Sequence, residues 1–306
     1  MLNFQDGRPI AIIKGGKYNN KILYVGEDSG SDNKIIENNP LDMLDDVYEM
    51  VNKNKLKKDE MIKIKNALAK GNEENISSVY EIIGNVRNKS KELSKKEFKI
   101  FDDGVIQPLP RFDKTERCYV AGQTECGKTY YVKHYLNQLQ KVFPKKKIYI
   151  FSDVESDPEI DDLKNLTRFT LDEELLEKEP IKPEIFKDSI CLFDDIDSIQ
   201  NPKLLKYVQA LRDSILRRGR HEDISCIVTS HLLTNYKDTR IILNECNNIT
   251  IFCRSGSSYG IKYLLKHYIG LDKKQIQHIL DLPSRWVTIN KNSPQYVIYE
   301  KGVFIL

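Results

Sequence analysis

An α/β fold, a mainly parallel sheet flanked by helices, is what this chain predicts, and three observations carry the prediction. The stretch Gly122-Gln123-Thr124-Glu125-Cys126-Gly127-Lys128-Thr129 has the spacing G-x-x-x-x-G-K-[ST], with a short apolar run before it and a helical stretch free of Pro and Gly after it. Apolar, β-branched runs alternate with helical periods through the second half of the chain, as in strand–helix units. A further apolar run, Ser189-Ile190-Cys191-Leu192-Phe193, stops at the carboxylate pair Asp194-Asp195.

Composition bounds the class. At 306 residues, the chain can bury a large core and hold either two domains or one α/β domain with an extension, and the motif layout favours the second. No stretch approaches the roughly 18–20 apolar residues of a membrane span. Met1 to Asp6 lack the charged and apolar blocks of a secretion signal, so an intracellular protein is expected. The cysteines, at 118, 126, 191, 226, 246 and 253, are scattered among apolar residues, which disfavours a zinc site or a disulfide framework. A net charge of +3 is too near neutral to announce a nucleic-acid binder, so any such patch has to be local.

Residues 1–100 read as an N-terminal hairpin and helical extension. Arg8 to Ile13 and Lys21 to Val25 flank Gly15-Gly16-Lys17-Tyr18-Asn19-Asn20 as two strands around a turn, and residues 28–40 read as a loop. From Pro40 to Lys99 apolar residues fall at helical spacing in three sets: Leu41 to Val51, Leu56 to Leu68 and Ile76 to Val86. The middle set is rich in lysine, from Lys53 to Lys70, and two readings stand, a solvated face and a phosphate contact. Gly104, Pro108 and Pro110 punctuate residues 101–114, which read as a linker into a nucleotide domain over 115–306.

Within 115–306, Gly122 and Gly127 let the backbone turn its N–H groups inward, and with the helix N-terminus these form a nest for the β-phosphate of a nucleotide. This is a P-loop. Gln123, Thr124, Glu125 and Cys126 complete it. Lys128 reaches the β- and γ-phosphates and Thr129 ligates Mg²⁺. Glu125 is expected to turn outward, because a carboxylate beside phosphate is repelled. Lys147 to Ser152 and Arg168 to Thr170 are strand candidates. The run into Asp194 resembles a Walker B strand, with Asp194 holding Mg²⁺ through water and Asp195 orienting or deprotonating the attacking water.

Pro202 starts a helix over 202–218 that ends in Arg217-Arg218-Gly219-Arg220-His221. Two readings stand for its arginines, a finger into a neighbouring subunit's nucleotide and a cationic answer to the helix dipole. The strand Ile224 to His231 is expected beside the Walker B strand, with Ser230 or His231 as a γ-phosphate sensor. Asn248 to Arg254 is another strand, Tyr259 to Tyr268 and Lys273 to Leu280 are helices, and Trp286 to Asn290 with Gln295 to Tyr299 close the chain as a hairpin. Asn235-Tyr236-Lys237-Asp238 has the residue types of a guanine-reading motif in the wrong spacing, which favours ATP.

Together, the P-loop, the Phe193-Asp194-Asp195 ending, Gly219-Arg220-His221 and Thr229-Ser230-His231 resemble the genome-packaging ATPases of large DNA viruses, the poxvirus type in the FtsK/HerA group of ASCE-type P-loop NTPases. Asp195 and Ser230-His231 stand where that group often carries Glu and Gln. The resemblance implies a Mg²⁺-dependent ATPase in a homo-oligomeric ring that drives double-stranded DNA into a capsid, with a capsid or portal partner. It implies a place in host cytoplasm, virus factory or virion. It assigns catalysis to Lys128, Asp195, Arg220 and Ser230, and metal to Thr129 and Asp194. A nucleotide-dependent scaffolding ATPase that binds a protein partner is the second reading.

Overall fold

The computed structural model describes residues 1–26, 96–177, 179–235, 237–254 and 257–306, and the loop, helices and lysine runs read from residues 28–95 lie outside these. The expected hairpin is present, with β1 (Leu2–Asn3), β2 (Arg8–Lys14) and β3 (Ile22–Val25) paired antiparallel. Two strands then appear where none was expected. β4 (Glu97–Lys99) occupies residues read as helix, and β5 (Val105–Pro108) occupies residues read as linker. In β4 only Phe98 is buried, its ring packed edge-on against Phe4 and Tyr18 at 5.2 and 5.6 Å, so long-range packing overrides the local helical period. In β5 the terminal Pro108 is tolerated because the strand lies at the edge of the small sheet β1-β3-β2-β5, where one side needs no ladder donor.

A ten-stranded sheet carries the rest, in the order β4-β14-β13-β12-β11-β6-β10-β9-β7-β8. Its parallel half contains β6 (Arg117–Ala121), β7 (Lys147–Ser152), β8 (Leu166–Phe169), β9 (Ser189–Asp194), β10 (Ser225–Ser230) and β11 (Asn248–Ile251). Its antiparallel wing contains β12 (Val287–Asn290), β13 (Tyr296–Tyr299), β14 (Gly302–Ile305) and β4. The expected closing hairpin is thus a meander, since Val303, Phe304 and Ile305 turn back onto β13.

Helices α1 (Lys128–Val142), α2 (Glu174–Glu177), α3 (Pro202–Arg218), α4 (Arg240–Glu245), α5 (Ser258–Leu264) and α6 (Lys273–Leu280) connect the strands. α3 starts where expected: Asn201 caps it by accepting from the backbone N–H groups of Lys203 and Leu204 at 3.0 and 3.3 Å, with Pro202 in the first turn.

Alternation along the strands builds two cores. Cys118 and Val120 of β6, with Ile190, Leu192 and Ile227, pack on Tyr131, Tyr135, Leu136 and Leu139 of α1 and on the small sheet through Ile10, Ile13 and Ile106. Tyr119, Ala121, Phe193 and Val228 face the other way, onto Leu204, Val208, Leu211 and Ile215 of α3. β6, β9, β10 and β11 are buried on both faces, so they read as continuous apolar runs rather than alternating ones. All six cysteines are free thiols. Among the described residues no helix is long and apolar enough to cross a membrane.

Candidate functional site

In the parallel half, β10 lies between β6 and β9. The register sets Thr229 level with Val120 on one side, and Val228 level with Phe193 on the other, which brings Asp194 beside Thr229. The P-loop and the Asp194-Asp195 pair therefore leave the sheet at the same, carboxyl rim, their strands about 10 Å apart. That is where ligands bind in open α/β sheets.

The loop itself needs its glycines. Gly127 has φ +100°, and a Cβ on Gly122 would meet Cys126 Sγ at 2.6 Å and Phe252 at 3.0 Å. Gly122 is also tied to the neighbouring strand, since its N–H donates to the Ser230 carbonyl at 3.1 Å. Gln123, Thr124 and Glu125 are exposed, Glu125 turning outward as expected with φ 63°, while Cys126 and Thr129 are half-buried. Lys128 is buried, and its ammonium donates to the carbonyls of Gly122 at 3.0 Å and Gln123 at 3.4 Å.

The same ammonium joins the loop to the other side of the site. It lies 3.1 Å from His231 Nδ1 and 3.5 Å from Asp195 Oδ2, and His231 Nε2 lies 3.1 Å from that carboxylate oxygen. A proton on Nε2 satisfies all three contacts, with Nδ1 accepting from Lys128 and Nε2 donating to Asp195.

Thr229 orders the carboxylates. Its hydroxyl accepts from the backbone N–H of Asp195 at 2.8 Å and donates to Asp194 Oδ1 at 2.8 Å, with Asp195 Oδ1 at 3.2 Å. Asp195 adopts φ 43°, in the left-handed region. Burial, the largest influence, raises the Asp194 carboxyl above its ordinary range, and the Thr229 hydrogen bond opposes this.

The structure places the remaining site candidates elsewhere. The Ser230 hydroxyl donates to Asp197 Oδ2 at 3.1 Å and accepts from the Leu232 N–H at 2.9 Å, so it braces the turns after β9 and β10. Arg217, Arg218 and Arg220 are exposed at the end of α3 and in the 3-10 turn Gly219–Glu222, which precedes β10. That is the amino rim, on the order of 20 Å from Ser230 along the strand. Arg220 is therefore remote from the P-loop of its own chain. Thr229 carried no assigned role in the sequence reading, and the signal that would have found it is period-two alternation: 229 and 231 share a face, and 230 faces away.

No protein-family profile matches the chain. Protein V3 of Sputnik virophage, an uncharacterised protein, is 41% identical over 217 residues, covering 70% of this chain and 86% of V3. The chain belongs to the V3 family. Among solved structures, the genome packaging NTPase B204 of Sulfolobus turreted icosahedral virus 2, in complex with AMPPCP, aligns with TM-score 0.41 and 14% identity, over 61% of this chain and 97% of B204. The pCW3 conjugation coupling protein TcpA with ATPγS aligns with TM-score 0.43 and 14% identity, over 67% of this chain and 65% of that one. The P-loop fold of this V3-family chain rests on its own strand order, with β10 inserted between the P-loop strand and the strand that ends at Asp194.

Proposed function

We propose that this V3-family protein is an ATP-hydrolysing motor that translocates double-stranded DNA, and that it packages a viral genome. The observation that carries the ATPase reading is the contact of Lys128, Asp195 and His231 across two loops that are remote in sequence. A structural ion pair has no need of a glycine cradle, a left-handed Gly127 and a P-loop lysine at one rim. The DNA and packaging parts of the reading rest on the motif resemblance.

The residues present fit a nucleoside triphosphate with Mg²⁺. The space over Gly122 admits no side chain, and Thr129 and Asp194 offer the hard oxygen donors that Mg²⁺ takes, few in number and completed by water and phosphate. Bound there, Mg²⁺ would neutralise charge developing on the phosphates. Loop N–H groups from Thr124 to Thr129 would hold the β-phosphate, and Lys128 would exchange its loop carbonyls for phosphate oxygens. Asp195 would orient the attacking water. His231, in contact with both Lys128 and Asp195, would sense whether a γ-phosphate is present, a role the geometry offers to His231 more directly than to Ser230. Arg220 would act on the nucleotide of a neighbouring copy, which requires a homo-oligomer.

The test is the ATPase rate of the purified protein with and without double-stranded DNA. Turnover stimulated by DNA, and weakening steeply with salt, supports the motor. A slow rate indifferent to DNA, with ATP-dependent capture of a capsid protein, would replace it with the scaffolding ATPase.

A further inference from the structure

We propose that the exposed face of α5, with the π-helical turn Leu265–Ile269 that continues it, is a contact surface for the phosphate backbone of double-stranded DNA. The inference rests on the translocase reading and deepens it by locating the track.

The chain leaves β11, which runs parallel to β6, at the carboxyl rim and enters α5 seven residues later at Ser258. Ile261, Leu264, Leu265 and Ile269 are buried and fasten the helix to the core. The opposite face has no such cover. Tyr259, Lys262, Tyr263, Lys266 and His267 are exposed, Tyr259 to 75%. Their three rings form a ladder at i, i+4 and i+8, with centroids 6.5 Å apart for Tyr259 and Tyr263 and 4.5 Å apart for Tyr263 and His267.

Charge selects the occupant. From Arg254 to Leu271 the sequence contains Arg254, Lys262, Lys266 and His267 and no Asp or Glu. Neither lysine has an ion pair among the described residues. Residues at i and i+4 are neighbours on a helix, so Lys262 and Lys266 share a stripe next to that of Tyr259 and Tyr263. An acidic partner is thereby called for, and lysine and tyrosine are both common ligands of the phosphate and sugar backbone. With ring neighbours on both sides, Tyr263 is already occupied within the ladder, which favours contact with a duplex backbone over stacking on the bases of a single strand.

The face is also next to the site. A Cβ on Gly260 of α5 would lie 3.5 Å from Leu233 Cδ1, two residues beyond His231. A surface that grips DNA and a residue that touches Asp195 thus meet at one turn.

The test is fluorescence anisotropy of a labelled random-sequence duplex with the full chain, in the presence of a non-hydrolysable ATP analogue and over a salt series. Lys262→Glu with Lys266→Glu is expected to weaken binding at least tenfold and to reduce the slope of log K against log salt by about 2, one per lost phosphate contact. Tyr259→Ser with Tyr263→Ser keeps the charge and is expected to weaken binding severalfold with little change of slope. Lys203→Glu with Lys206→Glu, on the exposed side of α3, makes the same change of charge elsewhere and is expected to leave both quantities near wild type. Affinity for a fluorescent ATP analogue, unchanged in all variants, shows that the fold is intact. If the wild type binds the duplex and the α5 charge reversal matches the α3 control, the surface is wrong and the translocase reading stands. If the wild type fails to bind duplex at all, both fall.

Discussion

The two rims of the parallel sheet are built to opposite plans. At the carboxyl rim, Lys128, Asp194, Asp195, Thr229 and His231 meet in one hydrogen-bonded cluster. At the amino rim, Arg217, Arg218 and Arg220 stand exposed, and Arg218 makes a local hydrogen bond to the Ser214 hydroxyl at 3.0 Å. Beneath them lies the buried Glu116, whose carboxyl burial raises above its ordinary range although it accepts from the Arg111 N–H and Asn248. The difference teaches that one rim is ordered by its own chain, whereas the other offers cations outward. The trans role proposed for Arg220 would bring the amino-rim cations of one copy to the carboxyl rim of another.

The largest effect should come from the point where the carboxyl rim closes. Lys128→Ala is expected to abolish ATP turnover, read as phosphate release, and an undiminished rate would remove the site. Next comes the amino rim: Arg220→Ala should lower turnover by roughly 10³ or more while leaving nucleotide affinity nearly unchanged. Mixing the two inactive proteins sharpens the comparison. A Lys128→Ala copy can supply its arginine to the intact P-loop of an Arg220→Ala copy, so partial recovery of rate is expected, and a mixture as inactive as its components would place Arg220 outside catalysis. His231→Ala should cost roughly 10²-fold in kcat with little change in ATP affinity, because the residue touches Asp195 rather than the loop backbone.

The smallest effects are on stability. Thr229→Val strands the Asp195 N–H and one oxygen of Asp194 and should lower stability by about 2 kcal/mol, measured by denaturant unfolding. Asp194→Asn should do the reverse. The folded protein raises the Asp194 pKa, so as pH climbs from the ordinary carboxylate value of 3.8 through the raised one, it retains a proton that the unfolded chain has lost. Wild type loses stability across that window and does not regain it above. Asparagine carries no such penalty, so the advantage of Asp194→Asn in thermal unfolding should grow as pH rises above 3.8 and level off once the raised pKa is passed. A constant difference over that range would show that Asp194 is not desolvated in the folded state.

Both motifs were legible in the sequence because each is a local event: a strand, a tight turn and a helix within one short stretch. The parallel order was legible too, since strands buried on both faces read as unbroken apolar runs. What escaped was long-range. Phe98 declares itself a strand residue only when Val303 is opposite it, and Val105 to Pro108 only when β2 arrives as a partner. The choice between Ser230 and His231 turned on a single step of strand alternation, where a shift of one residue exchanges the face that meets the site for the face that does not. The arginines were legible as a cluster, but not their distance from the P-loop of their own chain, which depends on α3 running back along the full height of the sheet.

The φ of 43° at Asp195 bears on which residues can replace it. Left-handed backbone is tolerated by aspartate and asparagine far better than by longer side chains. Aspartate at 195 thus suits the backbone it stands on. Asp195→Glu would consequently lengthen the arm and disturb the shoulder, so the substitution should slow the proposed ATP turnover instead of accelerating it.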